Sequence, residues 1–429
     1  MLKIQKGAEF EKSFRRGQKT PQTELFGQDV VEAARRIIAD VSSRGDEALY
    51  EYAVKYDGQD PRSYSIMAGS EEIEEAAKDA GQEFCEAMDA AIANIRRYHE
   101  FQKENSWNMV TGGGSILGSR VRPLDRVAVY VPGGKAAYPS TVAMNVIPAQ
   151  LAGVEDIYIL TPPDREGKVN SYIAAAACLL GIKKIFKVGG AQAVAAAAYG
   201  TETVPKADKI VGPGNAYVAA AKREVFGAVD IDMLAGPSEI MIIADAGANA
   251  AWAAADLLAQ AEHDEMACCM LMTDSEQLAG KIEDEIKKQL PGLKKRSIIE
   301  KSLAANGAII LADTMDEAVR LANLVAPEHL EIVVEEPYRV LEGIKHAGAI
   351  FIGPYSAEAI GDYIAGPNHV LPTAGTALFA SPLSVSDFYK RSSFICYSRE
   401  DFRMNAAKAA CIARAEGLDA HANALEVRF

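Results

Sequence analysis

From Val127 onward the chain repeats one texture. Short β-branched runs are each closed by a glycine turn or an acidic stop, and most are followed by an alanine-rich stretch: VAVYVPGG, DIYILTPP, KIFKVGG and KIVGPGN, then IMIIAD, ACCMLMT, AIILAD, LEIVVEE and AIFIG. Strands alternating with helices build parallel sheets, since a parallel neighbour is reached only through a crossover long enough to hold a helix. The number of units predicts two such sheets in an α/β protein. Ahead of them, residues 26 to about 108 read as amphipathic helix, with one helix from Val30 to Gly45 and a longer one across Glu71 to Glu104. Behind them, the stretch from Pro382 offers one helix, Glu400 to about Glu416, and then a polar tail.

A chain of 429 residues, 49% hydrophobic and 24% charged, can bury a core spread over two or more domains. With Lys+Arg 45 against Asp+Glu 59, its net charge of -14 repels polyphosphate backbones, so neither nucleic acid nor an anionic membrane surface is expected as a partner. The opening segment has no apolar signal region and no run reaches membrane length, so a cytoplasmic location is expected. The six cysteines lack any CxxC pairing, which points to reduced thiols serving as small core residues. Cys268 and Cys269, tempting as nucleophiles for aldehyde chemistry, fall inside the apolar run ACCMLMT and read as parts of a buried strand.

Open α/β sheets bind ligands outside the carboxyl ends of their strands. The Gly133-Gly134, Gly189-Gly190, Gly212-Pro213-Gly214 and Gly236-Pro237-Ser238 turns are therefore candidate cofactor and substrate loops. None spells GxGxxG, because Tyr217 stands where the third glycine after Gly212 and Gly214 belongs. Composition alone leaves a nucleotide site open.

Four further segments carry groups that need partners. In residues 249–265, Asp256, Gln260 and His263 fall on one helical face, with Gln260 and His263 one turn apart. That spacing serves a shared metal ion or a solvated helix end equally well. PEHLEI sets Glu328 and His329 between a helix and a strand, where polar groups entering a sheet require partners or a task. GDYIAGPNHVLPT carries Asp362 and His369 in a glycine- and proline-punctuated loop. EGLDAHANAL carries Glu416 and His421 close to the terminus, where a solvated tail is the plain alternative.

Taken together these segments resemble the histidinol dehydrogenase family. The resemblance runs from about Arg44 to the C-terminus. It is densest in VYVPGGKAAYPSTVAMN, VGGAQAVAAAAYGTETVPKADKIVGPGN, AGPSE, LLAQAEHD, PEHLE, GDYIAGPNHVLPT and EGLDAHANAL, in the family's order. It implies a zinc-dependent cytoplasmic homodimer that oxidises L-histidinol to L-histidinaldehyde and on to L-histidine, the last two steps of histidine biosynthesis, reducing two NAD+ in turn.

Carried over motif by motif, the implied ligands of one zinc per subunit are Gln260, His263, Asp362 and His421, and the implied acid/base pair is Glu328 and His329. All six, with Ser238 and Glu416, are implied to surround the substrate, while Tyr130, Gln192 and Asn215 are implied NAD contacts. The implied fold is two incomplete Rossmann-like parallel-sheet domains, aldehyde-dehydrogenase-like, with a small N-terminal arm and a C-terminal helical segment. Its expected divisions are an arm at 1–25, a discontinuous main domain at 26–131 and 238–382, an inserted NAD-contacting domain at 132–237, and a segment at 383–429 exchanged between subunits so that each active site is shared. Two rivals remain: a related zinc and NAD dehydrogenase of another amino alcohol or diol, and a non-catalytic paralogue, which would have no use for the Glu328-His329 pair.

Overall fold

The computed structural model describes residues 2–17, 27–58, 60–133 and 137–428. The expected boundary of the N-terminal arm at residue 25 and the second glycine of the Gly133-Gly134 turn lie outside the described residues.

Two six-stranded sheets form the body. One has the order β1 (Lys3–Lys6), β12 (Gly307–Leu311), β11 (Cys268–Thr273), β10 (Glu239–Ala244), β13 (His329–Val333), β14 (Ala349–Ile352), and all its pairings are parallel. The other runs β2 (Met67–Ala68), β7 (Ile185–Lys187), β6 (Asp156–Thr161), β5 (Arg126–Tyr130), β8 (Lys209–Val211), β9 (Asp230–Ile231), parallel except for β2. In each, five strands taken in chain order lie 3-2-1-4-5 across the sheet, the doubly wound pattern, with one extra edge strand. The expected pair of incomplete Rossmann-like sheets is what the chain forms.

Both faces of each sheet are covered, which is why the strands are continuous apolar runs. In β5, Val127 and Val129 face a core with Ile147 and Ile173, while Ala128 and Tyr130 face one with Val194 and Val218. In β10, Ile240 and Ile242 pack with Leu257 and Ile282, and Met241 and Ile243 pack with Leu321 and Phe10. A third sheet, β15 (Tyr389–Cys396), β4 (Ile116–Pro123) and β3 (Trp107–Val110), is antiparallel. No described helix is long and apolar enough to cross a membrane.

Sheet membership distributes residues 26–131: β2 and β5 join the strands of 132–237, while β3 and β4 pair with β15. The apolar stripe Ala34, Ile37, Ile38, Val41 of helix Gln28–Arg44 is buried with Val194 and Val218, and β5 is the central strand of that sheet. The expected arm contributes an edge strand to the other sheet. The long helix expected across 71–104 is broken: Ser70–Ala77 and Gln82–His99 are separated at Gly81, whose φ of 81° suits glycine. The polar tail is a second short helix, Asp419–Glu426, folded on Arg399–Ala415 around Ala410, Ala413 and Ala422. Of the six cysteines only Cys269 is buried, and Cys178, Cys396 and Cys411 are exposed, so the expectation of core thiols fails for most of them.

Candidate active site

β9 ends at Ile231 and β10 begins at Glu239, so the carboxyl edge of the sheet centred on β5 leads directly into the amino edge of the sheet centred on β10. A loop from Gly361 to Thr373 ties the two together. Asn368 donates to the Met144 carbonyl at 2.7 Å, Asn94 donates to the Ile364 carbonyl at 2.9 Å, and the Gly236 N–H donates to Thr373 Oγ1 at 2.6 Å. The polar cluster lies at the amino ends of β10 and β13, whereas the glycine turns of the other sheet lie at carboxyl ends. Gly236-Pro237-Ser238 thus precedes its strand, unlike the other turns grouped with it from sequence.

The helix Met315–Val325 stops at Ala326, which takes a left-handed φ of 52°, and Pro327 blocks its continuation. Glu328 and His329 follow, both buried, with His329 paired in register with Ile240 of β10. His329 Nδ1 lies 2.9 Å from the Glu239 carbonyl oxygen. A carbonyl only accepts, so Nδ1 carries the proton and Nε2 keeps its lone pair. Nε2 is 3.9 Å from both Glu358 Oε1 and Asp362 Oδ1 and has no hydrogen-bond partner. Burial lowers the His329 pKa against the pull of Asp362, which keeps the imidazole neutral. Burial raises Glu328 well above the carboxylate range, opposed by the Glu239 N–H and reinforced by the charges of Glu239, Asp362 and Glu358.

Gln260 sits in the last turn of helix Ala250–Ala261, and His263 lies just past its end on a turn whose N–H reaches the Gln260 carbonyl. Gln260 is fully buried, yet neither amide atom has a partner, an arrangement costing about 1–3 kcal/mol per group unless something binds there. Asp362 lies in a single π-helical turn, Gly361–Ala365, a distortion common at functional sites. One ligand atom each from His263, Glu358 and Asp362 lies within 4.8 Å of the others. An imidazole and two carboxylates converging at one place, with an unpartnered amide one turn before the imidazole, fit a divalent cation.

Glu358 escaped the sequence reading. Its signal was its position four residues before Asp362, one helical turn away. Behind it lie Glu331 and Asp256, hydrogen-bonded carboxyls pushed upward by burial; the Glu358 N–H donates to Glu331 Oε1 at 2.8 Å. His369 adds a half-buried imidazole whose Nδ1 is 4.0 Å from Asp362 Oδ1. Ser238 is half-buried beside β10, and its carbonyl accepts the Cys268 N–H. Glu416 and His421 are not brought to this cluster within the chain: both are exposed on the two-helix unit at the C-terminus. Burial pushes the Cys269 thiol up to about 12 and raises the half-buried Cys268 thiol as well, so neither offers a thiolate.

The three residues assigned to NAD gather at the carboxyl edge of the other sheet, where its strand order reverses between β5 and β8. Tyr130, the last residue of β5, accepts the Gly190 N–H on its hydroxyl at 3.0 Å, and a Cβ at Gly212 would sit 2.1 Å from the Tyr130 carbonyl oxygen. Gln192 is buried in the first turn after Gly190, and Asn215 caps the next helix by accepting from the Tyr217 and Val218 N–H groups. Such a reversal point is where doubly wound sheets bind nucleotides.

The histidinol dehydrogenase family model matches residues 20–429. The chain belongs to the histidinol dehydrogenase family. It is an oxidoreductase. The histidinol dehydrogenase of Halalkalibacterium halodurans is 54% identical over 397 residues, covering 92% of this chain and 93% of the relative. That of Bacillus subtilis is 53% identical over 394 residues, covering 92% of each. The crystal structure of histidinol dehydrogenase from Elizabethkingia anophelis superposes with a TM-score of 0.89 at 39% identity, covering 94% of this chain and 92% of that one.

Proposed function

We propose that the protein oxidises L-histidinol to L-histidine through L-histidinaldehyde, the last two steps of histidine biosynthesis, as a zinc- and NAD-dependent homodimer in the cytoplasm. The observation that carries this is the buried Glu328-His329 pair beside the convergent donors His263, Glu358 and Asp362, with the Gln260 amide buried and unpartnered on the helix that ends just before His263. A binding protein has no use for a neutral imidazole held with its lone pair free. Family membership supplies the substrate, and Ser238 and Glu416 are the proposed substrate contacts beside the metal donors.

When bound, zinc would hold the nitrogens of the substrate and NAD+ would take up the hydride. Gln260, His263 and Asp362 would hold the metal, with His421 of the partner chain, and Tyr130, Gln192 and Asn215 would border the nicotinamide dinucleotide. In the first oxidation His329 Nε2 would remove the hydroxyl proton from oxygen as hydride leaves the carbon that bears that oxygen, giving the carbonyl. In the hydration that follows, Glu328 takes a proton from water as its oxygen adds to the aldehyde, and the imidazolium returns its proton to the carbonyl oxygen. His329 is thereby reset and removes a proton from the gem-diol in the second oxidation. Glu328 serves as this base in its ionised form, which a cation held by the neighbouring donors would favour against the burial that raises its pKa, and no covalent thiol step is needed.

Purified protein supplied with histidinol, NAD+ and zinc should form two equivalents of NADH per histidinol. One equivalent with accumulating aldehyde would contradict the proposal, and no turnover on histidinol alongside turnover on another amino alcohol would favour the relative with a changed substrate.

A further inference from the structure

The residues in which the resemblance places the metal include His421, which this chain holds exposed on a separate helical unit, and omit Glu358, which it places inside the cluster. Glu358 Oε1 is buried without a hydrogen-bond partner. Among the described residues no lysine or arginine pairs with its carboxylate, whose ion-pair contact is His329 Nε2 at 3.9 Å. Its backbone is held in place by the N–H donated to Glu331. A carboxylate so placed must stay protonated or meet a cation.

We propose that Glu358 is a metal ligand of this chain, forming with His263, Asp362 and the Gln260 amide oxygen a site that loads a divalent ion before His421 of a partner arrives. The proposal rests on the metal reading above. Donor atoms on one tetrahedral zinc ion, each about 2.0–2.2 Å from it, stand roughly 3.3–3.6 Å apart. The 4.8 Å span of His263, Glu358 and Asp362 closes to that with small side-chain adjustments. Two carboxylates also neutralise a divalent charge beside the buried Glu358, which an imidazole ligand such as His421 would not do. Loading would then precede assembly, and the tail would add a ligand to an ion already held.

Metal-free protein is titrated with zinc against a chromophoric chelator, bound zinc is counted by mass spectrometry, and cobalt spectra report the ligand set; none of these needs turnover. His421→Ala should still bind one equivalent per chain. Adding Glu358→Gln should weaken binding more than about tenfold further and change the cobalt spectrum. Equal affinity of the single and double variants would overturn the proposal, as would complete loss of zinc in His421→Ala while the wild type binds. A wild type that binds no zinc would overturn the metal reading as well. Far-UV circular dichroism of the metal-free variants checks folding. Should Glu358→Gln fail to fold, a zinc-loaded crystal structure of His421→Ala decides: a Glu358 oxygen at about 2.0–2.2 Å from the ion supports the assignment, and a carboxylate turned away from it refutes it.

Discussion

Glu328 and His329 are both clamped on the backbone of Glu239: Glu328 Oε2 accepts its N–H at 2.8 Å, and His329 Nδ1 donates to its carbonyl at 2.9 Å. One strand residue thus orients the two groups of the acid/base pair and fixes the tautomer of the imidazole. The Glu239 side chain has a separate task, accepting the Ala374 N–H at 3.2 Å, so the loop after His369 is tied to the same point.

His329→Asn removes the lone pair that serves both oxidations, so both should fall by about 10²–10⁴. Glu328→Gln removes only the base for water and should depress aldehyde oxidation more than alcohol oxidation. Supplying histidinaldehyde directly separates the two steps. Equal losses on both substrates would contradict the assignment of Glu328 to the water.

Burial raises Glu239 from 4.5 to about 7, leaving it protonated in the fold at mildly acid pH. A folded-state pKa above the unfolded value contributes stability that is full below about pH 4.5 and is lost as pH rises through 7. His329 and His369, lowered by burial, act in the opposite sense over part of this range, so the clean measure is a difference. Glu239→Gln mimics the protonated form. Its thermal midpoint relative to metal-free wild type should climb between pH 5 and 8, with a full span of about 3 kcal/mol. A gap that stays constant or narrows with pH would show that Glu239 is ionised in the fold.

At the other sheet, Lys222 and Asp232 form a buried ion pair around the Gly212 turn: Lys222 Nζ donates to the Gly212 carbonyl at 3.0 Å, and Asp232 Oδ2 accepts the Gly212 N–H at 2.7 Å. Lys222→Met strands the aspartate and should cost about 3–5 kcal/mol. If the turn borders NAD, the surviving folded protein should show a raised KM for NAD+ with zinc content unchanged. An unaltered KM would place the dinucleotide elsewhere.

Much of this was legible in the sequence because it is local. Continuous apolar runs such as IMIIAD mark strands covered on both faces, and a polar pair directly after Ala326-Pro327 announces a helix stop with chemistry at the strand entry. What escaped depended on partners distant in sequence. The helix 28–44 shows its apolar stripe without showing that the β5 sheet receives it. Glu358 looks like an ordinary first-turn acid of a short helix, and only the packing of Glu331 and Asp362 around it reveals a buried carboxyl whose Oε1 has no hydrogen-bond partner. Gly81 was hidden because acidic and alanine-rich helix continues on both sides of it.

The exposed positions of Glu416 and His421 lead to the last expectation. If the tail crosses to a neighbour, a twofold dimer contains two sites, each built from both chains. His329→Asn disables the body of a site, and His421→Asn disables the tail. When the two variants are unfolded and refolded in equal amounts, a mixed dimer places both lesions in one site and leaves the other intact. Half the dimers are mixed and half their sites work, so about a quarter of wild-type activity should return. If each tail instead folds back onto its own chain, every site in a mixed dimer carries one lesion. Activity no higher than that of the separately refolded variants, with mixed dimers confirmed by mass, would then exclude the shared site.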